Sequence, residues 1–204
     1  MREAAIFEKI YQEYLRAVSQ IDLHRIRDRL GVAVEGDEVV IPFYGFPHRV
    51  SGQGIIDDQG RRPSHAVSVI LCKYLLLCPD VEPTEFEWVS YKDYRDAAPF
   101  VGGFTNNAEK PISRTFSGRL ADCQKACRLL NGRPVQTDIS ADLAVEFEAL
   151  PRVPILMLFN DRDEDFEAHC SLLFERRAEK YLDMECLAMV GLTLAEWLKQ
   201  RAHP

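Results

Sequence analysis

Short patterns that announce chemistry are scarce in this chain. There is no C-x-x-C, so a zinc ribbon, a thioredoxin-like dithiol and a ferredoxin-type cluster are not encoded locally. The glycine pair in VGGFTNN has neither the G-x-G-x-x-G spacing nor the G-K-[ST] ending that holds phosphates. In TFSGRL, Ser117 precedes a glycine, but Thr115 and Arg119 stand where a nucleophile elbow requires glycine, which leaves a serine hydrolase unsupported. No apolar run approaches the ~18 residues that span a bilayer. The opening MREAAIFEKIYQEYL is charged too often for a signal peptide. These absences lead us to expect a cytoplasmic protein with its cysteines mostly reduced.

What is present suits an ordinary packed protein. At 204 residues, with 47% hydrophobic and 28% charged, the chain is long enough to need no disulfide or metal staple. Disordered tracts, linkers and internal repeats are lacking, so residues 1–204 read as a single globular domain. Lys and Arg number 25 against 32 Asp and Glu, and the net charge of −7 repels nucleic acid and anionic membrane. Basic clusters at Arg25, Arg27 and Arg29, and at Arg176 and Arg177, are interleaved with acids. Neither nucleic acid nor membrane is therefore an expected partner.

Periodicity gives the elements. Phe7, Ile10, Tyr14, Val18, Ile21, Ile26 and Leu30 recur at helical spacing up to Gly31, as one long N-terminal helix or two joined near Asp22. Alternation on both sides of Gly36-Asp37 predicts a hairpin, and extended structure continues to a turn at Asp58-Gln59-Gly60. Ser64 caps HAVSVILCKYLLLC, a helix apolar nearly all round that ends before Pro79. TEFEWVSYKDY alternates again and predicts a strand with Phe86 and Trp88 on one face.

Between Arg95 and Arg114 periodicity vanishes, and Gly102-Gly103, Asn106-Asn107 and Pro111 predict a long irregular segment. A helix from Ser113 to Leu130 follows, then strands on both sides of Pro151, a further strand in AHCSLLF, and a C-terminal helix capped by Asp183. Elements arrive in blocks without β-α-β alternation. The fold class expected is α+β, a largely antiparallel sheet packed by helices on one side.

Two stretches draw attention as sites. FNDRDEDFEAHC sets Asp161, Asp163 and Asp165 two apart and adds His169, so it resembles the first half of a calcium loop. The second half fails, because the sixth position, which needs glycine, is Phe166, and the twelfth, which needs glutamate, is Leu172. The stretch therefore reads as a solvated turn, with a cation-dependent enzyme using His169 as general base kept as the alternative. His169 and Cys170, adjacent on a strand, point to opposite faces and are poorly placed to chelate one ion. Cys123 and Cys127 share a helical face with Phe116, Leu120 and Leu130, where packing explains both.

The other stretch is the irregular segment. It gathers Lys92, Asp93, Arg95, Asn106, Asn107, Lys110 and Arg114 around Tyr94, Phe100 and Phe104. Long loops with convergent polar and aromatic groups serve binding. Its Lys and Arg suit a small anionic ligand or a partner. A covering loop with solvated ends is the plain alternative, as a structural subunit is for the whole chain.

The order of features from LPRVPILMLFN through DEDF and LLFE to YLDMECLAMVG, with WVSYKDY and PFVGGFTNN before them, resembles a family of uncharacterised domains. Its members occur in bacteria and archaea, many of them anaerobes, sometimes fused to or beside iron-sulfur domains. The resemblance covers most of the chain and brings no catalytic motif. It implies service to an iron-sulfur or corrinoid redox system. The polar-aromatic segment, with no recognisable catalytic set beside it, leads us to expect a non-enzymatic binding or accessory domain that uses residues 92–114 as its contact surface. This chain lacks the cysteine-rich module of fused members, so a redox partner would be a separate protein.

Overall fold

Asp22 splits the N-terminal periodic stretch in two, because its carboxylate accepts the Arg25 amide hydrogen and so begins a new helix. The computed structural model describes residues 2–202. It holds α1 (Arg2–Val18) and α2 (Leu23–Leu30), the latter closing on Gly31. Next come β1 (Ala33–Glu35), β2 (Glu38–Phe43), β3 (Phe46–Ser51) and β4 (Gly54–Asp57), an antiparallel four-stranded meander in chain order. Val39, Ile41 and Phe43 of β2 are buried at every second position, as the alternation predicts. Helix α3 (His65–Leu76) starts at Ser64, whose hydroxyl accepts the Val67 amide hydrogen.

The second sheet contains β5 (Trp88–Ser90), β6 (Arg133–Pro134), β7 (Leu143–Leu150), β8 (Val153–Asn160) and β9 (His169–Glu175), in the order β5-β9-β8-β7-β6 and antiparallel throughout. The fold is α+β as expected, with its antiparallel strands divided between two sheets rather than collected in one. Sheet pairing also stops earlier than alternation predicts in TEFEWVSYKDY. After Trp88–Ser90, Tyr91–Asp93 curl into a 3-10 turn in which Asp93 accepts the Ser90 amide. Before Trp88, the Glu87 and Glu85 carbonyls accept the amides of Arg176 and Arg177 at 2.8 and 3.0 Å without forming regular strand. Phe86 is left exposed and lies 4.3 Å from the Arg177 guanidinium.

The remaining helices are α4 (Val101–Phe104), α5 (Lys110–Phe116), α6 (Leu120–Leu129) and α7 (Met184–Arg201). The single helix expected over 113–130 is interrupted at Ser117-Gly118, so α5 and α6 are distinct. Helix α7 packs against α3, α4, α5 and α6. Burial of Leu187, Val190, Gly191, Thr193, Leu194, Ala195 and Leu198 covers it on several faces. On the far side of the second sheet, Leu156, Leu158 and Leu173 form a smaller core under Trp88, Val135 and Ala141.

The two sheets meet at the turn between β2 and β3. Tyr44 and Gly45 both have positive φ, 51° and 80°, the geometry that lets a two-residue turn follow the twist of its strands. Gly45 is required twice, since a Cβ there would meet Asn131 Nδ2 at 2.6 Å. For tyrosine this region is strained, and three hydrogen bonds hold it. Its amide donates to the Ala149 carbonyl at 3.0 Å, its carbonyl accepts from Asn131 Nδ2 at 2.9 Å, and its hydroxyl donates to the Val190 carbonyl at 2.9 Å. One residue thus ties the first sheet to β7, to the end of α6 and to α7.

Tyr44→Phe removes only the last of these bonds, and we expect a loss of about 1–2 kcal/mol in denaturant unfolding; unchanged stability would contradict the anchoring role. A second expectation concerns Asp183. Burial opposes its ionisation, but the Cys186 amide and the Lys73 ammonium 3.0 Å away outweigh that and hold its carboxyl below the usual range. As pH falls the unfolded chain takes up this proton first, so the contribution is full near neutrality and is lost as pH drops through the folded-state value. Asp183→Asn keeps the cap and removes the charge. Its stability should decline less steeply than that of the wild type between about pH 7 and about pH 3, and parallel declines would refute the assignment.

Candidate functional site

The segment expected to be irregular is helical. Helix α4 runs directly into a π-helical turn, Thr105–Glu109, and then into α5. Glycine, asparagine and proline all oppose helix locally. Phe104, Ala108, Ile112 and Phe116, four apart and buried, override them by packing toward α7 and β9. The wide turn is closed by the Lys110 amide bonding to the Thr105 carbonyl. It also accommodates Pro111, which offers no N–H and whose ring would press on the carbonyl four residues back in a regular helix.

This geometry disperses the residues that sequence groups together. Phe104 is core, stacked on Tyr91 with ring centroids 4.3 Å apart. Tyr94 is also core, its hydroxyl donating to the Glu175 carbonyl at 2.6 Å. Asp93 is occupied by the Ser90 amide. Lys92 and Asn107 are exposed, while Arg95 and Phe100 line a separate hollow with Glu179 and Asp183. Asn106 is exposed too, and its side-chain oxygen accepts from Lys110 Nζ at 2.9 Å. The ring of polar groups around Tyr94 and Phe104 is therefore corrected: burying those two rings turns their polar neighbours to different sides.

What the fold does assemble is a groove of about 860 Å³ between α5 and the turn that follows β8. Lys110, Ser113 and Arg114 form one wall, and Arg162, Asp163, Asp165, Phe166 and His169 form the other. The two stretches that sequence treats as rival sites face each other. Among the described residues, no carboxylate pairs with Lys110, Arg114 or Arg162. Glu109, at the end of the π turn, accepts the Leu172 amide at 3.2 Å and the Thr105 hydroxyl at 3.0 Å. It thereby covers the edge of β9 where β5, which pairs only as far as Leu173, has ended.

Two carboxylates of the acidic turn, those of Asp161 and Asp163, are occupied by backbone amides. Asp163 Oδ1 accepts the amides of Asp165 and Phe166 at 2.9 and 2.7 Å, and the Asp163 amide returns to the Phe166 carbonyl at 3.0 Å. Asp161 Oδ1 accepts the amides of Gly118 and Arg162. His169 is exposed, with Nε2 3.1 Å from the Ser171 hydroxyl. Asp161, Asp163, Asp165 and His169 do not converge. Among the described residues no group of three or more His, Cys, Asp or Glu is placed to hold a metal ion.

All the thiols but that of Cys78, which is half-buried, are interior. Cys123, Cys127 and Cys170 are buried, Cys123 and Cys127 on one face of α6 and Cys170 on the inner face of β9. Hydrogen bonding with Cys123, then burial, pushes the Cys127 thiol up, while burial does the same for Cys170 and lifts Cys72 to about 12. Protonated thiols of this kind are neither nucleophiles nor ligands. Sequence reading passes over His48 entirely. A lone histidine on an alternating strand gives no local signal, and its burial beside Trp197 arises only from packing β3 against α7.

The chain belongs to the family of the domain of unknown function DUF3786, whose model matches residues 22–197. No curated protein and no solved structure matches it. Among the described residues, no helix is long and apolar enough to cross a membrane.

The packing that buries Phe104 is testable at Gly191 of α7. A Cβ there would collide with Phe104 Cε2 and lie 2.9 Å from Cζ. Gly191→Ala should cost about 1–3 kcal/mol by overpacking. Combining it with Phe104→Leu should recover part of that loss, whereas purely additive losses would show the contact to be absent.

Proposed function

We propose that the protein is a non-catalytic binding domain that captures a segment of a partner protein in the groove between α5 and the acidic turn. The observation that carries this reading is Phe166. It is 74% exposed at the lip of the groove, on a turn whose backbone is fixed where Asp163 accepts the Asp165 and Phe166 amides. A rigid aromatic side chain beside desolvatable charges is how protein interfaces concentrate their affinity. The unpaired cations of one wall and the acids of the other favour a segment carrying both signs of charge over a simple ion. The buried thiols and the scattered Asp161, Asp165 and His169 support binding over catalysis. The resemblance described above makes an iron-sulfur or corrinoid redox protein our choice of partner.

The test is a photo-crosslinker at position 166 in the native host, with the adduct identified by mass spectrometry and its affinity then measured with purified components. Phe166→Ala and Arg114→Gln should each weaken that complex about tenfold or more, with Tm moving by no more than about 2 °C because both side chains are exposed. Undiminished binding by both variants would remove the groove from the interface. Saturable competition by phosphate alone would replace the protein partner with a small anion.

A further inference from the structure

His48 is 4% exposed and lies on β3 directly across from Asp57 of β4. Its Nδ1 is 2.9 Å from the Phe46 carbonyl oxygen. A carbonyl only accepts, so Nδ1 carries the hydrogen. Burial is the largest influence on the ring and lowers its pKa, against the raising effect of the Phe46 carbonyl, Asp57 and Asp58. Nε2 is left as a bare acceptor. It has no donor among the described residues, and the ring borders a cavity of about 550 Å³.

The rest of that cavity has a definite chemistry. Phe46 and Trp197 supply two rings with centroids 5.8 Å apart and planes inclined at 82°. The Arg201 guanidinium lies 5.8 and 6.0 Å from their centroids and donates to the Trp197 carbonyl at 3.1 Å, with no carboxylate paired to it among the described residues. Of the other cations at the wall, Arg61 is paired with Asp57, which lines the same cavity, and Arg62 is held by Glu8 and the Tyr11 ring. Ser64 and Val67 bring the N-terminus of α3 to the same space, and the first turn of that helix contains no acid. Asp58 at the wall disfavours a polyanion.

We propose that this cavity binds a small monoanionic ring compound bearing a hydroxyl or amino donor. Its carboxylate lies toward Arg201 and the start of α3, its ring rests against Trp197, and its donor meets His48 Nε2. Arg201 and the helix end supply attraction for the charge. The apolar walls take the ring, and the volume is in the range of small-molecule sites. His48 supplies selectivity, because Nε2 opens on the cavity and an acid that covers it without offering a hydrogen displaces its water and puts nothing in its place.

The experiment is calorimetric titration of the full chain with 4-hydroxybenzoate, 4-aminobenzoate, benzoate, phenol and inorganic phosphate, with the Trp197 indole resonance followed in parallel. The two donor-bearing acids should bind about tenfold or more tighter than benzoate, and phenol and phosphate should be weaker than either. His48→Asn keeps an amide donor for the Phe46 carbonyl and loses only the Nε2 position, so it should abolish the preference for 4-hydroxybenzoate over benzoate. Arg201→Met should weaken both acids about tenfold while leaving that preference intact. Should His48→Asn not fold, the wild-type preference and the Arg201→Met result still decide. Equal affinity for benzoate and 4-hydroxybenzoate, binding that leaves the Trp197 signal unmoved, or no saturable binding by any acid would overturn the proposal. The groove carrying Phe166 plays no part in these readouts.

Discussion

Tyr44 stands in left-handed backbone geometry that costs a bulky L-residue on the order of 1–2 kcal/mol, and its surroundings hold it there from three sides. The amide, carbonyl and hydroxyl are each bonded to a different part of the chain. A side chain so constrained persists only where the environment over-determines it. The cost is offset by joining two sheets that share no strand pairing. Phe43, Phe147 and Trp197 pack edge-on to its ring, which makes Tyr44 the backing of the Trp197 cavity as well as a junction.

A second balance is struck along the run from Val101 to Phe116. Local preference is against helix at five of its positions: Gly102, Gly103, Asn106, Asn107 and Pro111. Four buried side chains, Phe104, Ala108, Ile112 and Phe116, decide the outcome against helix α7 and strand β9. Polar residues between them are then obliged to face outward at helical intervals. That spacing, rather than loop flexibility, brings Lys110 and Arg114 opposite the acidic turn.

The same competition explains what was legible in the sequence. Caps and turns were readable because their chemistry is local: Asp22, Gly31, Ser64 and Asp183 bound helices as their residue types predict. Strands β2 and β7 are readable because one buried face leaves a period of two, whereas β8 and much of β9 are buried on both faces and show instead as short apolar runs. The π turn was not readable, since nothing within Thr105–Glu109 records the pull of α7 on Phe104. The junction between the two sheets is made at Tyr44, and a tyrosine before a glycine does not advertise positive φ. At the candidate site, the acidic residues form the turn that their spacing predicts, but that Lys110 and Arg114 lie across one groove from them is a property of tertiary packing alone. His48 was missed for the same reason.

The π turn carries one residue more than an α-helical turn of the same reach, and each residue of helix advances the azimuth by about 100°. A chain shorter by one position between Thr105 and Glu109 would run as plain α-helix, with Pro111 crowding the backbone behind it, and would swing Lys110 and Arg114 out of phase with the acidic wall. Single-residue length change in this stretch therefore sets the phase of all that follows it, and would carry Ile112 and Phe116 away from the interior as it carries Lys110 and Arg114 away from the groove.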